Sequence, residues 1–118
     1  MLRPFLPSID HERSRQFYEA LGFEMRYADA SIAVMVSGND SFILQNFYVK
    51  ELAENFVVQL TVPDATAWWN KYDPERVADR FGAKTPAPPT LQAWGMIVGF
   101  IHDPSGVLWH VTEAKASG

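Results

Sequence analysis

One pattern of local signals occurs twice along the chain, and that repetition limits the possible folds more than any single motif. RPFLPSI (3–9) is a short apolar segment that leads to Asp10, a good N-cap for a helix carrying Phe17 and Leu21. Gly22 in ALGFE sits where a C′ glycine would end that helix. FEMRYAD, SIAVMVS and DSFILQNFYV then read as strands, the last two joined by the turn SGND (37–40), and KELAEN (50–55) reads as a polar connection. The second half starts again with the strand-like NFVVQLTVPD (55–64). Asp64 is its N-cap candidate, for a helix holding Ala67, Trp68 and Tyr72, and RFGAK (80–84) resembles ALGFE as a helix end. MIVGFIHDPSGVLWHVTE closes the chain as a hairpin matching the earlier one. Asp10 and Asp64 lie 54 residues apart, whereas Ser37 and Asp103, which open the two turns, lie 66 apart. The added residues fall in DPERVADRF and in TPAPPTLQ (85–92), read as a proline-rich loop. Such a repeat predicts two βαβββ units in one α+β domain spanning 1–118, with modules of about 1–54 and 55–118. The other reading is two α/β segments alike by chance. Prolines 4 and 7 make the first segment an edge strand if it is a strand at all.

Composition narrows the chemistry. With 47% apolar and 14% aromatic residues the chain can fill a core. A net charge of −4 without any Lys/Arg run argues against nucleic acid and anionic membranes as partners. The absence of cysteine removes disulfides, thiolate nucleophiles and Cys-based metal sites together, and fits a reducing compartment. No apolar run reaches the roughly 18 residues of a membrane span, and MLRPFLPSID lacks the apolar stretch of a signal peptide, so a cytoplasmic location is expected. There is no nucleophile elbow, Gly-rich phosphate loop or H-E-x-x-H, and Glu12, Glu19, Asp73 and Glu75 read as solvated carboxylates.

FLPSIDHERSRQFYEALGFE is similar to the opening of the glyoxalase/bleomycin-resistance/extradiol-dioxygenase (vicinal oxygen chelate) superfamily, and AWGMIVGFIHDPSGVLWHV (93–111) is similar to its ending. The WG followed by a D-P-x-G hairpin resembles the bleomycin-resistance-like branch, and the likeness covers essentially the whole chain. It implies paired βαβββ modules forming a concave sheet around one pocket, and a homodimer with the site at or near the subunit interface. In metal-dependent members it also implies a divalent ion held by four side chains, typically His or Gln, Glu, His and Glu. Carried onto this chain, those positions are Arg3, Val57, the neighbourhood of Ile43 with Gln45 on the same face, and His110. A guanidinium has no lone pair to donate, and one imidazole does not hold a catalytic ion, so neither a metal nor another cofactor is expected. His11 reads as an exposed first-turn residue. If Pro104, Ser105 and Gly106 form a three-residue loop with a bulge at Gly106, His102 lies opposite Leu108 and Phe100 opposite His110.

With His110 turned inward, Leu108 and Thr112 follow it, while Trp109 and Val111 pack under the helices. Other inward candidates are Arg3, Phe5, Ile43, Gln45, Val57, Gln59, Thr61 and Phe100. Trp94 and Met96 stand at the entrance of the last hairpin, Trp94 either as a stacking platform or as a structural residue. Trp68 and Trp69 project about 100° apart on a helix, so one belongs to the core and the other is available to a dimer interface. The candidate ligand-binding set is thus His110, Trp94, Phe100, Gln45, Arg3, Gln59, Met96 and Leu108. An aromatic pocket with a few polar tips suits a flat organic molecule. Arg3, unless it is merely an exposed N-terminal charge, would favour an anionic or carbonyl-bearing group, unlike the acidic pockets of relatives that bind cationic drugs. The reading that follows is a metal-independent small-molecule-binding protein, resembling antibiotic-resistance proteins and acting by sequestration rather than as an enzyme. The alternatives are a metal-dependent lyase, isomerase or dioxygenase of the same superfamily, and a protein-interaction module whose pocket is closed.

Overall fold

Both helices that the repeat predicts begin on a side-chain cap. The amide of Arg13 donates to Asp10 Oδ1 at 3.1 Å and that of Ala67 to Asp64 Oδ1 at 2.9 Å, satisfying donors that have no partner within the helix. Gly22 (φ 94°) and Gly82 (φ 67°) adopt the left-handed backbone that closes helices, as the matching ALGFE and RFGAK segments predict. A computed structural model describes residues 1–115. It contains β1 (Phe5–Pro7), α1 (His11–Ala20), β2 (Glu24–Ala28), β3 (Ile32–Ser37) and β4 (Asp40–Gln45), then the single turn α2 (Lys50–Ala53). The second module holds β5 (Val57–Val62), α3 (Ala65–Tyr72), α4 (Pro74–Phe81), β6 (Ala87–Leu91), β7 (Ile97–His102) and β8 (Leu108–Glu113). The strands form two four-stranded sheets, ordered β1-β4-β3-β2 and β5-β8-β7-β6. In each, the first strand of the module runs parallel to the last and the remaining pairs are antiparallel. The repeat in the sequence is therefore a repeat of architecture.

Three segments differ from the sequence reading. KELAEN contains the short helix α2. The second-module helix is broken at Asp73 (φ 48°, ψ 64°), because a residue before proline is sterically driven out of the right-handed helical region. Pro74 then opens α4 at the position where a missing N–H costs nothing. Glu75, expected to be solvated, reaches back across the break to accept from the Trp69 indole N–H at 2.9 Å. TPAPPTLQ is a strand rather than a loop: β6 is an edge strand whose register shifts between Ala87 and Thr90, so Pro88 and Pro89 occupy the irregularity where a ladder donor is not required.

The core lies where the inner faces of both sheets meet the helices. Tyr18, Phe23, Phe42 and Trp109 form a mutually tilted aromatic cluster with ring centroids 4.8–5.9 Å apart, and Phe17 meets Phe81 edge-on at 5.9 Å. Trp109 and Val111 are buried, as the alternation along β8 predicts. Trp69 is the core member of its pair, lying so close to Gly99 that the absence of a side chain there is required, whereas Trp68 is half-buried against Tyr72. No helix among the described residues is long and apolar enough to cross a membrane.

Candidate functional site

The outer faces of the sheets carry the residues that do not enter the core. In the second sheet the register aligns Gln59, His110, Phe100 and Ala87 in one row across β5, β8, β7 and β6. His110 and Phe100 pack edge to face, centroids 4.8 Å apart and planes at 81°. A neighbouring row runs Val57, Leu108, His102, and the next on the other side runs Thr61, Thr112, Val98, of which Thr112 and Val98 are buried. Phe100 opposite His110 and His102 opposite Leu108 is the register predicted for a three-residue loop with a bulge, and Gly106 (φ 93°) supplies the left-handed residue that loop needs. Gln59 is exposed and its amide donates to Thr61 Oγ1 at 3.3 Å. Burial, followed by the Lys84 cation, holds His102 below the usual imidazole range.

Four of the eight expected ligand-binding residues, His110, Phe100, Leu108 and Gln59, thus share this one face. Gln45 lies on the first sheet, in a row with Pro7 and Ile32, beside the row Phe5, Ile43, Val34, Tyr27. Arg3 is tied to that sheet through Nε, which donates to Ser41 Oγ at 3.0 Å. Trp94 stands exposed in the tight turn between β6 and β7, where the amide of Gly95 donates to the carbonyl of Gln92, and Met96 is half-buried immediately before β7. The metal-ligand positions carry a hydrogen-bonded guanidinium (Arg3), two aliphatic side chains (Val57, Ile43) and one imidazole (His110). Among the described residues no group of three or more His, Cys, Asp or Glu lies close enough to share an ion.

His11 is not exposed as expected. It is buried at the start of α1, its Nδ1 3.4 Å from Ser8 Oγ and its Nε2 without a hydrogen-bond partner, and burial, then the Arg15 cation, lowers its pKa. The reason is the entry of the chain into α1: the buried Ser8, bonded to the Gln45 carbonyl, draws the first helical turn onto the end of β4.

Two features have no counterpart in the sequence reading. The first is a buried chain of hydrogen bonds. Asp103 Oδ1 accepts from the amides of Ser105 (2.8 Å) and Val107 (3.0 Å), while Oδ2 accepts from the Tyr18 hydroxyl (2.5 Å), which accepts in turn from the Trp109 indole (2.9 Å). Burial pushes the Asp103 carboxyl up to about 6 against the opposing pull of these donors. An aspartate opening a turn signals its own loop bonds, but nothing local signals Tyr18. The second is a cleft of about 790 Å³ at the seam between the modules, lined by Phe23, Phe42, Trp109, residues 56–60, residues 39–41 and the N-terminal Met1, Leu2 and Pro4. Of the expected set only Gln59 borders it.

The chain belongs to the Glyoxalase/Bleomycin resistance protein/Dioxygenase superfamily, which it matches over residues 3–111. Its fold is similar to that of a bleomycin-binding protein solved in complex with bleomycin (24% identity, 98% of each chain, TM-score 0.78). It is also similar to that of a bleomycin resistance determinant encoded on the transposon Tn5 (24%, 98% of each chain, 0.77). A third likeness is to the fosfomycin resistance protein FosX from Mesorhizobium loti (12%, 99% of this chain and 93% of that one, 0.72). At these identities the likeness is one of fold. No curated protein matches the chain significantly.

Proposed function

We propose that this protein binds and sequesters a small, flat organic molecule in the cytoplasm without a metal ion, on the outer faces of its sheets and as a homodimer. The observation that carries the reading is the row Gln59–His110–Phe100, a carboxamide and an imidazole beside a phenyl ring on an accessible sheet face, in which His110 alone stands at a position where the family resemblance puts a metal ligand. The residues at the corresponding positions do not fit a divalent ion, because the Arg3 guanidinium has no lone pair for a metal and Val57 and Ile43 carry no ligand atom. The outward residues of the central strands include no carboxylate, and Glu24 on the edge strand β2 is paired with Arg26 at 3.2 Å. That charge pattern favours a neutral, anionic or carbonyl-bearing ligand over a cation. Phe5, Tyr27 and Val57 are each about half exposed, more apolar ring and branched surface than a sheet face ordinarily leaves to water, and a second copy would cover it. The bleomycin-binding relative, which holds a drug on the same fold, supports sequestration as the mode of action.

Thermal-shift screening of aromatic acids, ketones and amines, with elemental analysis of the purified protein, tests the reading. We expect a carbonyl-bearing or anionic aromatic compound to raise the melting temperature, and His110→Ala and Phe100→Ala each to weaken its binding about tenfold. A stoichiometric divalent metal whose removal abolishes turnover of a hemithioacetal or catechol would overturn the reading in favour of a lyase, isomerase or dioxygenase.

A further inference from the structure

At one end of the first sheet a cleft of about 690 Å³ opens between the start of α1, Asp29 in the β2–β3 turn and Asn46 just after β4. It shares no lining residue with the seam cleft or with the rows of the second sheet. His11 forms part of its wall and is only 8% exposed, although it stands in the first turn of a helix. The Ser8 hydroxyl donates its one hydrogen to the Gln45 carbonyl at 2.6 Å, so toward Nδ1, 3.4 Å away, it can only accept. Nδ1 therefore carries the hydrogen of the neutral ring, and Nε2, buried and without a hydrogen-bond partner, presents a bare lone pair. Burial, followed by the Arg15 cation, opposes protonation of that ring.

The groups around this lone pair are acceptors too. The Ile32 carbonyl and the Asp29 carboxylate both act on the ring in favour of its charged form. Asp29 is held below the usual carboxylate range by the Tyr27 hydroxyl (2.7 Å) and by the amides of Ile32 (2.9 Å) and Ser31 (2.8 Å), so it is ionised. Asn46 donates its amide nitrogen to the Ala30 carbonyl at 3.0 Å and retains its carboxamide oxygen as an acceptor. With Asp10 and Glu12, the cleft holds three carboxylates against one guanidinium, Arg15, and among the described residues none of the four is in an ion pair. A buried lone pair among acceptors is destabilising until a donor reaches it. What complements this set is a group that carries positive charge and several N–H donors at once.

We infer that this cleft is a second binding site, for the primary ammonium group of an organic amine, whose N–H groups donate to His11 Nε2 and the Asp29 carboxylate while Asp10 and Glu12 balance its charge. The site uses no side chain of the face proposed above for the sequestered molecule, and that face, without a carboxylate on its central strands, does not favour a cation. Benzylamine near neutral pH, where it is an ammonium ion, is the probe. Benzyltrimethylammonium keeps the charge without an N–H, and benzyl alcohol keeps one donor without the charge. Benzylamine is expected to bind at least about tenfold more tightly than either control. It should also move the nitrogen NMR signal of His11 Nε2 away from the position of an unprotonated ring nitrogen. His11→Phe, which fills the same place without the acceptor, should weaken benzylamine binding at least about tenfold. If that variant does not fold, the three compounds and the Nε2 signal of the unaltered protein decide. Equal affinity for benzylamine and benzyltrimethylammonium overturns the inference, as does an Nε2 that carries a hydrogen before the probe is added. So do signal changes confined to His110 and Phe100, which would place the amine on the other face.

Discussion

Asp103 is a carboxylate held where water cannot reach it, and its protonation is coupled to folding. Its pKa rises from an ordinary value near 3.8 to about 6, so between those values the folded protein keeps a proton that the unfolded chain has released. The stabilisation is fully present below about pH 4 and is lost as pH climbs towards about 6, with a flat profile above; the span is about 3 kcal/mol. Urea unfolding across this range should show that decline, and Asp103→Asn should flatten it. A slope of the opposite sign would mean that the donors around the carboxylate outweigh its burial. The sequence marks Asp103 only as the opening of a turn. Its bond to Tyr18, 85 residues away, depends on how the modules pack, and no local pattern encodes that. The burial of His11 is illegible for a like reason, since it depends on Ser8, itself tied to the Gln45 carbonyl of β4, as well as on groups of its own helix.

At the scale of elements, most of what is decided locally is readable. Both N-caps, both glycine helix ends and both hairpins follow from side chains within a few residues, and the register of the last hairpin followed from one loop glycine. β6 was not readable, because its prolines argue against a strand and only the neighbouring β7 makes one of it. The helix break is encoded in Asp73-Pro74, a local signal that the matching helix ends ALGFE and RFGAK mask. Gly99 ties β7 to α3: a methyl group there would overlap the Trp69 ring. Gly99→Ala should cost about 2 kcal/mol in thermal or urea unfolding, as overpacking of a filled core does, and a smaller residue at Trp69 should recover part of it in a double-mutant cycle. Asp64→Ala should cost about 1 kcal/mol through loss of the α3 cap, by the same measurement.

For the whole molecule, the two modules and the common face of Gln59, His110, Phe100 and Leu108 are legible, because period-two alternation sorts a strand's residues between faces. Alternation could not say which faces meet: it places Gln45 and His110 on outer faces of different sheets, and the seam cleft arises from packing between modules. If the outer faces bind a second copy, Phe5→Asp should shift the sedimentation of the protein from dimer towards monomer. The melting temperature of the monomer should stay unchanged, because Phe5 is half exposed in the single chain.

The chain Trp109–Tyr18–Asp103, with the Ile9 amide donating to Ser105 Oγ at 2.9 Å, binds the last hairpin to the first helix. During synthesis the first module therefore leaves the ribosome with Tyr18, Phe23 and Phe42 waiting for a partner that is made only at the end of the second module. Nascent chains that stop before Trp109 display that aromatic surface to chaperones and to one another, which makes completion of the final hairpin the step that separates folding from aggregation.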